Sequence, residues 1–285
     1  MTTQLPTAKL VEQFHENGYV ILKGFLELQI VRQVRSALSG LVEQHAQKLI
    51  EAGTISGLFQ NEPFETRLLR LYETCLDEAP IGWRAELHLA ELFDIFFNPR
   101  LLDIVELILG REFRLYPNYT VRPKLPDHPQ TLVLWHQDGG YTEHWNKQAD
   151  GDVSDFRMVN AWTPLVEAHV ENGCMQFIAG THKLGLLPHV QREFYLEIPE
   201  EHLEEHQDRI VDVELDPGDL VVFHNMLCHR GLANLTQTIR WSLDWRYQDV
   251  AQPTLRAEQG HIARSLTHPD RVVTNAAQWA GLSFG

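Results

Sequence analysis

Trp135-His136-Gln137-Asp138, read together with Cys228-His229-Arg230-Gly231 further along, decides how this chain folds. Residues i and i+2 of an extended segment point to the same side. His136 and Asp138 are therefore expected to grip one metal ion from one strand, with His229 closing the triangle from a partner strand. Such a site needs β-rich surroundings, and the sequence offers them. After Gly110, strand-like runs occur at 113–122, 131–137, 157–166, 174–179, 210–213, 219–224 and 239–248, separated by Gly, Pro, Asn and Asp. Short strands with regular turn signals point to a sandwich or jelly roll rather than a parallel α/β sheet. Asp216-Pro217-Gly218-Asp219 and Glu171-Asn172-Gly173 have the residue types that tight turns require.

Upstream, the texture is helical. A short helical pattern covers 8–16, and Tyr19-Val20-Ile21-Leu22 reads as a strand. Between Glu27 and Ala52, Ile30, Val31, Val34, Leu38, Leu41 and Val42 recur at three- and four-residue steps, the mark of an amphipathic helix ended by Gly53. Further helices fit 64–78, 83–96 and 99–109, the last opening at Pro99 and stopping at Gly110. The segment 185–209 and the tail after 250 lack periodicity and read as loops with some helix. The expected architecture is mainly β with a helical N-terminal half: a double-stranded β-helix (jelly-roll, cupin-like) core flanked by α-helices. It is expected as one domain over 1–285, with helical support at 1–110, the core at 111–250 and a tail at 251–285.

Composition narrows the function classes. The chain has 285 residues, 44% hydrophobic and 22% charged, an ordinary globular profile. A formal net charge of −15 argues against nucleic acid. Cys75, Cys174 and Cys228 are odd in number and lack C-x-x-C spacing, so they are expected as free thiols in a reducing compartment. No apolar run reaches the length of a membrane span, and the N-terminus lacks the apolar core of a signal peptide. A soluble cytoplasmic protein is expected, with a small-molecule substrate and no nucleic acid, membrane or obligate protein partner.

With fifteen histidines, an isolated H-x-D is more often structural than a ligand pair. The rest of the set changes the odds. His229 follows the apolar run Leu220-Val221-Val222-Phe223, and Arg240 opens another strand with Ser242 on its face. A buried arginine facing a metal is costly unless an anion arrives to pair with it, and its planar fork suits a carboxylate. Taken alone, Arg240-Trp241-Ser242 would read as a solvent-facing strand with an acidic partner. His224, His144, His182 and His189 compete for the metal, His224 most seriously. Two His and one carboxylate leave up to three positions open on an octahedral ion, the arrangement of non-haem Fe(II) oxygenases.

At this point the chain resembles the phytanoyl-CoA dioxygenase-like branch of the iron(II)- and 2-oxoglutarate-dependent oxygenases. The likeness rests on three blocks. These are His136-Gln137-Asp138, then Glu171-Asn172-Gly173-Cys174-Met175-Gln176-Phe177-Ile178-Ala179-Gly180-Thr181-His182-Lys183, and Pro217 through His224, His229 and Asn234 to Arg240. Asn17-Gly18-Tyr19-Val20-Ile21-Leu22 and Ile108-Leu109-Gly110 add to it, so it spans roughly residues 10–248. The resemblance implies Fe(II) held by His136, Asp138 and His229, with 2-oxoglutarate and O2 as cosubstrates. It also implies Arg240 pairing with the far carboxylate of 2-oxoglutarate, and Gln137 and Trp162 lining the cosubstrate. Where the family often has a small polar residue, two places after the distal histidine, this chain has Gly231; Ser242 is a candidate to compensate. Because Asp138 is present, hydroxylation of an unactivated C–H bond with release of succinate and CO2 is the default reaction.

For substrate contacts, Asn118, Thr120 and Arg122 share one face of the strand expected at 113–122, although Arg122 would equally suit a surface pair with Asp127. Tyr141, His144 and Trp145 stand just after the metal pair as an aromatic lid, or as packing for a long loop at 139–156 that carries Asp150, Asp152 and Asp155. An aromatic, acidic mouth would favour a cationic or zwitterionic metabolite. The competing class is a jelly-roll metal-binding protein, or a cupin-like metalloenzyme, that makes no use of 2-oxoglutarate. Arg240 separates the two, since without an anionic cosubstrate no guanidinium need face the metal.

Overall fold

The computed structural model describes residues 7–145, 153 and 155–284, leaving aside the side chains of 143–145. Helix α1 (Thr7–Asn17) leads into strand β1 (Tyr19–Leu22), and α2 (Leu28–Glu51) follows. The expected apolar stripe of α2 is its buried face: Val31, Val34, Leu38, Leu41 and Val42 are all enclosed. The helices expected over 64–78 and 83–96 shrink to α3 (Arg67–Leu71), α4 (Phe93–Phe96) and isolated 3-10 turns. Helix α5 (Pro99–Leu109) has the expected ends, with the Asn98 side chain accepting from the amides of Arg100 and Leu101 and Gly110 following it.

The strands are β2 (Phe113–Leu115), β3 (Thr120–Lys124), β4 (Met158–Pro164), β5 (Met175–Ile178), the short pair β6 (Val190–Gln191) and β7 (Leu196–Glu197), β8 (Ile210–Val213), β9 (Leu220–His224), β10 (His229–Gly231), β11 (Arg240–Asp249) and β12 (His261–Arg264). One seven-stranded sheet runs β1-β9-β4-β11-β2-β12, with β3 beside β2 along the same edge of β11. A second sheet, β10-β5-β8, lies opposite. Both are antiparallel, and together they form a jelly-roll-like sandwich.

Alternation along the strands divides the large sheet into two faces. Val20, Leu220, Val222, Val159, Ala161, Trp241, Leu243, Trp245 and Tyr247 face outward and join the helices in the main core. Trp162, Val221 and Phe223 face inward and meet Met175, Phe177 and Val213 of the small sheet, closing one end of the sandwich.

Three expectations need correction. The strand at 113–122 is broken between β2 and β3, where Pro117 removes a ladder donor and the Asn118 amide turns back to the Tyr116 carbonyl at 2.6 Å. The strand at 131–137 does not form; the segment is hydrogen-bonded to β10 through a His136–His229 bridge and the Gly231 amide on the Val133 carbonyl. The loop expected from 139 begins instead as helix α6 (Asp138–Trp145); residues 146–152 and 154, including Asp150 and Asp152, lie outside the described residues. The tail carries β12 and α7 (Ala276–Ala280), whose buried Trp279 packs into the main core. No described helix is long and apolar enough to cross a membrane. All three cysteines are free.

Candidate metal centre and cavity

His136 and His229 face each other because the two residues exchange both backbone hydrogen bonds, each amide reaching the other's carbonyl at 2.9 Å. Their ring centroids are 4.0 Å apart. Asp138 stands on the first residue of α6, so helix geometry rather than strand alternation swings its carboxylate back towards the rings. The His136 Nε2 lies 3.8 Å from Asp138 Oδ1, and one ligand atom from each of the three residues falls within 4.8 Å of the others.

The protonation pattern suits a cation. Each histidine Nδ1 is 2.8 Å from the carbonyl two residues earlier, Leu134 for His136 and Leu227 for His229. A carbonyl only accepts, so Nδ1 carries the hydrogen and Nε2 keeps its lone pair. Burial, reinforced by their mutual proximity at His136, lowers the pKa of both rings and keeps them neutral. For Asp138, burial pushes upward but the Arg246 guanidinium prevails and holds the carboxyl well below the usual range. Arg246 donates from Nε and Nη2 to Asp138 Oδ2 at 3.2 and 2.9 Å, and from Nη1 to Asp244 Oδ1 at 3.0 Å. Arg122 donates to the other Asp244 oxygen at 2.6 Å. This chain of charges leaves Asp138 Oδ1 turned to the histidines.

The triad opens into a cavity of about 640 Å³, also lined by Asn118, Arg122, Tyr141, Trp162, Arg240 and Ser242. That volume is ample for a small cosubstrate and a substrate together. Arg240 is buried; its Nη1 donates to Ser242 Oγ at 2.6 Å and its guanidinium sits 5.4 Å from the Trp162 ring centre. Its Nε has no hydrogen-bond partner, and no carboxylate among the described residues forms an ion pair with it. Burial pushes its pKa down to about 10. The cavity thus holds a cation that waits for an anion.

Other expected residues fall elsewhere. Gln137 is fully buried but faces away from the cavity: its amide donates to the carbonyls of Gly185 and Met226 and accepts from the Leu187 amide. Thr120 is buried beneath the wall, accepting from Arg84 Nε at 3.0 Å. Arg122 pairs with Asp244 rather than Asp127. Tyr141 is anchored on α6, its hydroxyl accepting from the Leu196 amide, and its ring meets His136 edge-on. The Trp145 and His144 side chains lie outside the described residues. His224 sits apart from the triad against Phe14 and His182, and His189 accepts from the Gln137 amide.

Several cavity residues escape sequence reasoning. Asp244 and Arg246 continue the alternation Arg240-Ser242 along β11 and were reachable by extending it. Phe194 and Tyr195 arrive on the β6–β7 hairpin, whose two-residue strands leave no periodic signal. Asp150 and Asp152, from which an acidic mouth was expected, lie outside the described residues, and among those described the lining is largely basic. Among the described residues, Arg84, Arg122, Lys124, Arg230, Arg240, Arg246 and Arg256 line the cavity against Asp138, Asp244 and Glu258, in a chain that is strongly acidic overall.

Comparison with known proteins agrees with this geometry. Residues 14–242 match the family profile described as phytanoyl-CoA dioxygenase (PhyH). The chain is 28% identical to the 1-deoxypentalenic acid 11-beta-hydroxylase of Streptomyces arenae, over 88% of this chain and 84% of that one. It is 24% identical to the peroxisomal phytanoyl-CoA dioxygenase of Homo sapiens, over 93% and 78% respectively. Among solved structures, EctD from S. alaskensis with 2-oxoglutarate and 5-hydroxyectoine superposes with a TM-score of 0.61 at 20% identity, over 86% of this chain and 76% of that one, a likeness of fold. The chain belongs to the phytanoyl-CoA dioxygenase family and is a non-haem Fe(II)- and 2-oxoglutarate-dependent dioxygenase.

Proposed function

We propose that this family member, acting as one catalytic domain, hydroxylates an unactivated C–H bond of a small metabolite that carries a carboxylate or similar anion. The observation that carries the reading is the pairing of a buried His-Asp-His set, both Nε2 lone pairs free, with a buried arginine in the same cavity that has no acidic partner among the described residues. His136, Asp138 and His229 hold Fe(II). Arg240, braced by Ser242 and stacked near Trp162, takes the far carboxylate of 2-oxoglutarate. Bound iron supplies the coupling of O2 reduction and 2-oxoglutarate decarboxylation, giving succinate and CO2, to oxidation of the substrate.

The protein's own part is orientation and exclusion of water. Arg246 fixes which carboxylate oxygen of Asp138 faces the ion. The two backbone-anchored imidazoles set the spacing, and Tyr141 covers the His136 edge. At the rim, Ile81, Phe194 and Leu255 offer apolar contact beside Arg84 and Arg256, which favours a substrate with a hydrocarbon body and an anionic group. The Streptomyces relative is named for an acid and the human one for a coenzyme A ester, both anionic, in keeping with this preference over the cationic ligand expected from the sequence.

The test is succinate release from 2-oxoglutarate with Fe(II) and ascorbate, across panels of carboxylated and cationic metabolites. Carboxylated compounds should stimulate succinate release with matching formation of hydroxylated product. Metal binding without any 2-oxoglutarate turnover would favour a metal-binding jelly roll instead. Stimulation by cations alone would overturn the substrate class.

A further inference from the structure

Between β11 and β12 the chain crosses the mouth of the cavity, where Leu255, Arg256, Ala257 and Glu258 join the lining. This crossing has no strand or helix of its own, yet buried side chains tie it down by its carbonyls. Arg114, on β2, donates to the carbonyls of Val250, Gln252 and Gln259 at 2.6, 3.1 and 3.2 Å. The Tyr116 hydroxyl donates to the Thr254 carbonyl at 2.6 Å, and Gln248 Nε2 to the Pro253 carbonyl at 2.9 Å. Thr254 Oγ1 in turn donates to the Glu258 carbonyl at 2.9 Å, closing the tip on itself. Backbone groups satisfied by buried partners at both ends and at the tip make this crossing a preformed wall.

At the tip, Leu255 has φ of 54°. Among the described residues, Phe59, Asp127 and Leu255 have positive φ without being glycine, and of these Leu255 lines the cavity. In the left-handed region the Cβ of an L-residue crowds the following carbonyl, a cost that glycine escapes. Strain of this kind persists only where the surroundings over-determine it, and it gathers at ligand clamps. Here the hydrogen bonds on either side of Leu255 do the over-determining. The half-buried leucine side chain is braced against Tyr116, Phe156, Met158 and Met226, so what it leaves uncovered has little freedom to yield. Arg256 follows at once, its guanidinium 5.7 Å from the centre of the Tyr116 ring. Neighbouring positions thus offer an apolar body and a cation together.

We propose that Leu255 is a specificity-determining residue, a fixed gauge that limits the size of the hydrocarbon body admitted beside Arg256. The inference rests on reading this cavity as the substrate site. Because the wall is tied before any ligand arrives, it selects by shape and not by closing over what has bound. The backbone strain at Leu255 is what keeps a side chain at a position where glycine would sit more easily.

The test is calorimetric binding to the protein loaded with Fe(II) and 2-oxoglutarate, without oxygen so that no turnover occurs. The probes are octanoate, decanoate, dodecanoate and tetradecanoate, with the primary amines of the same lengths. The parent should favour one length and bind the next longer probe at least about tenfold more weakly, the scale of a methylene that does not fit. In Leu255→Gly and Leu255→Ala that ratio should fall towards one, and in Leu255→Phe the favoured length should shorten. Melting temperatures give a second readout. Leu255→Ala keeps the strained backbone and Leu255→Gly relieves it, so the alanine variant should melt below the glycine variant, the reverse of their usual order. An unchanged length profile in both small variants, or a glycine variant that melts lowest, would overturn the proposal and leave Leu255 as packing. A parent that binds amines and no acids, with a length profile still lost in Leu255→Gly, would overturn the anionic substrate class and keep the gauge. A parent that binds neither series would overturn both.

Discussion

The two faces of β11 solve opposite problems with alternate residues of one strand. Outward, Trp241, Leu243, Trp245 and Tyr247 are wholly buried, and the few polar atoms among them are satisfied: Trp245 Nε1 donates to the Tyr247 hydroxyl, which donates to the Phe96 carbonyl. Inward, Arg240, Ser242, Asp244 and Arg246 line a cavity. There the charges are paired at one end, through Arg122, Asp244, Arg246 and Asp138, while Arg240 and Lys124 form no ion pair among the described residues. One face completes itself within the protein, and the other is completed only by ligands. The packed face holds the strand rigid, and that rigidity lets unpaired charges persist on its reverse.

The sharpest way to break this contrast is at the metal. His136→Ala should lower turnover at least about a thousandfold, the scale seen when one member of a catalytic unit is removed. Its unfolding profile without metal should stay close to the parent's, while the rise in melting temperature on adding Fe(II) or Mn(II) disappears. A retained metal-induced shift would mean that another residue completes the site. On the outer face the outcome should reverse. Trp245→Ala should cost about 3–5 kcal/mol of stability by denaturant titration, yet whatever fraction remains folded should keep its 2-oxoglutarate affinity. A selective loss of affinity would show that the two faces are coupled.

Arg240→Ala sharpens the comparison from the unpaired end. Removing one partner of a buried charge pair costs about 3–5 kcal/mol, so the 2-oxoglutarate requirement should rise by two orders of magnitude or more, on the order of that energy. The Fe(II) requirement should hardly change, and Arg240→Lys should rescue only in part, because it lacks the planar fork. Unchanged 2-oxoglutarate dependence would remove the reason for a charged cavity.

The smallest effect is expected at His224, at the end of β9 near α1. Its Nδ1 accepts from the Met226 amide at 3.1 Å, and burial, with His182 nearby, pushes its pKa down to about 4. A folded-state pKa below the unfolded value near 6.5 means that the unfolded chain binds the proton first. Stability is unaffected above pH 6.5, declines as pH falls from 6.5 towards 4, and levels off below, by at most about 3 kcal/mol for this residue. His224→Asn, which keeps an acceptor but cannot titrate, should flatten melting temperature against pH over that window. An unchanged slope would assign the acid sensitivity to other half-buried histidines with lowered pKa, such as His261.

What the sequence disclosed depended on periodicity. α2, α5 and most strands of the large sheet followed from three-to-four and two-residue repeats, because each buries a single continuous face. His136, Asp138 and His229 were recognisable as a set, but the geometry assumed for Asp138 was not the one adopted: it enters through the start of α6, which the polar Gly139-Gly140 run concealed. Gln137 adjoins two candidate ligands in sequence, yet its side chain points the opposite way and ties down the 185–187 segment. Arg84, Phe194 and Tyr195 could not be inferred, since they sit on turns and very short strands where only tertiary packing sets direction.

The paired backbones of His136 and His229 also bear on how the iron is acquired. The two residues are 93 positions apart, and they face each other only after the chain between them has folded into β4, β5, β8 and β9. A chain still emerging from the ribosome, or cut before residue 229, owns at most two of the three proposed ligands. Closing so long a loop is slow and entropically costly, and a weakly held cation at two ligands offers little to offset it. Three-point capture of a metal by these residues would therefore require the intervening strands to be in place first.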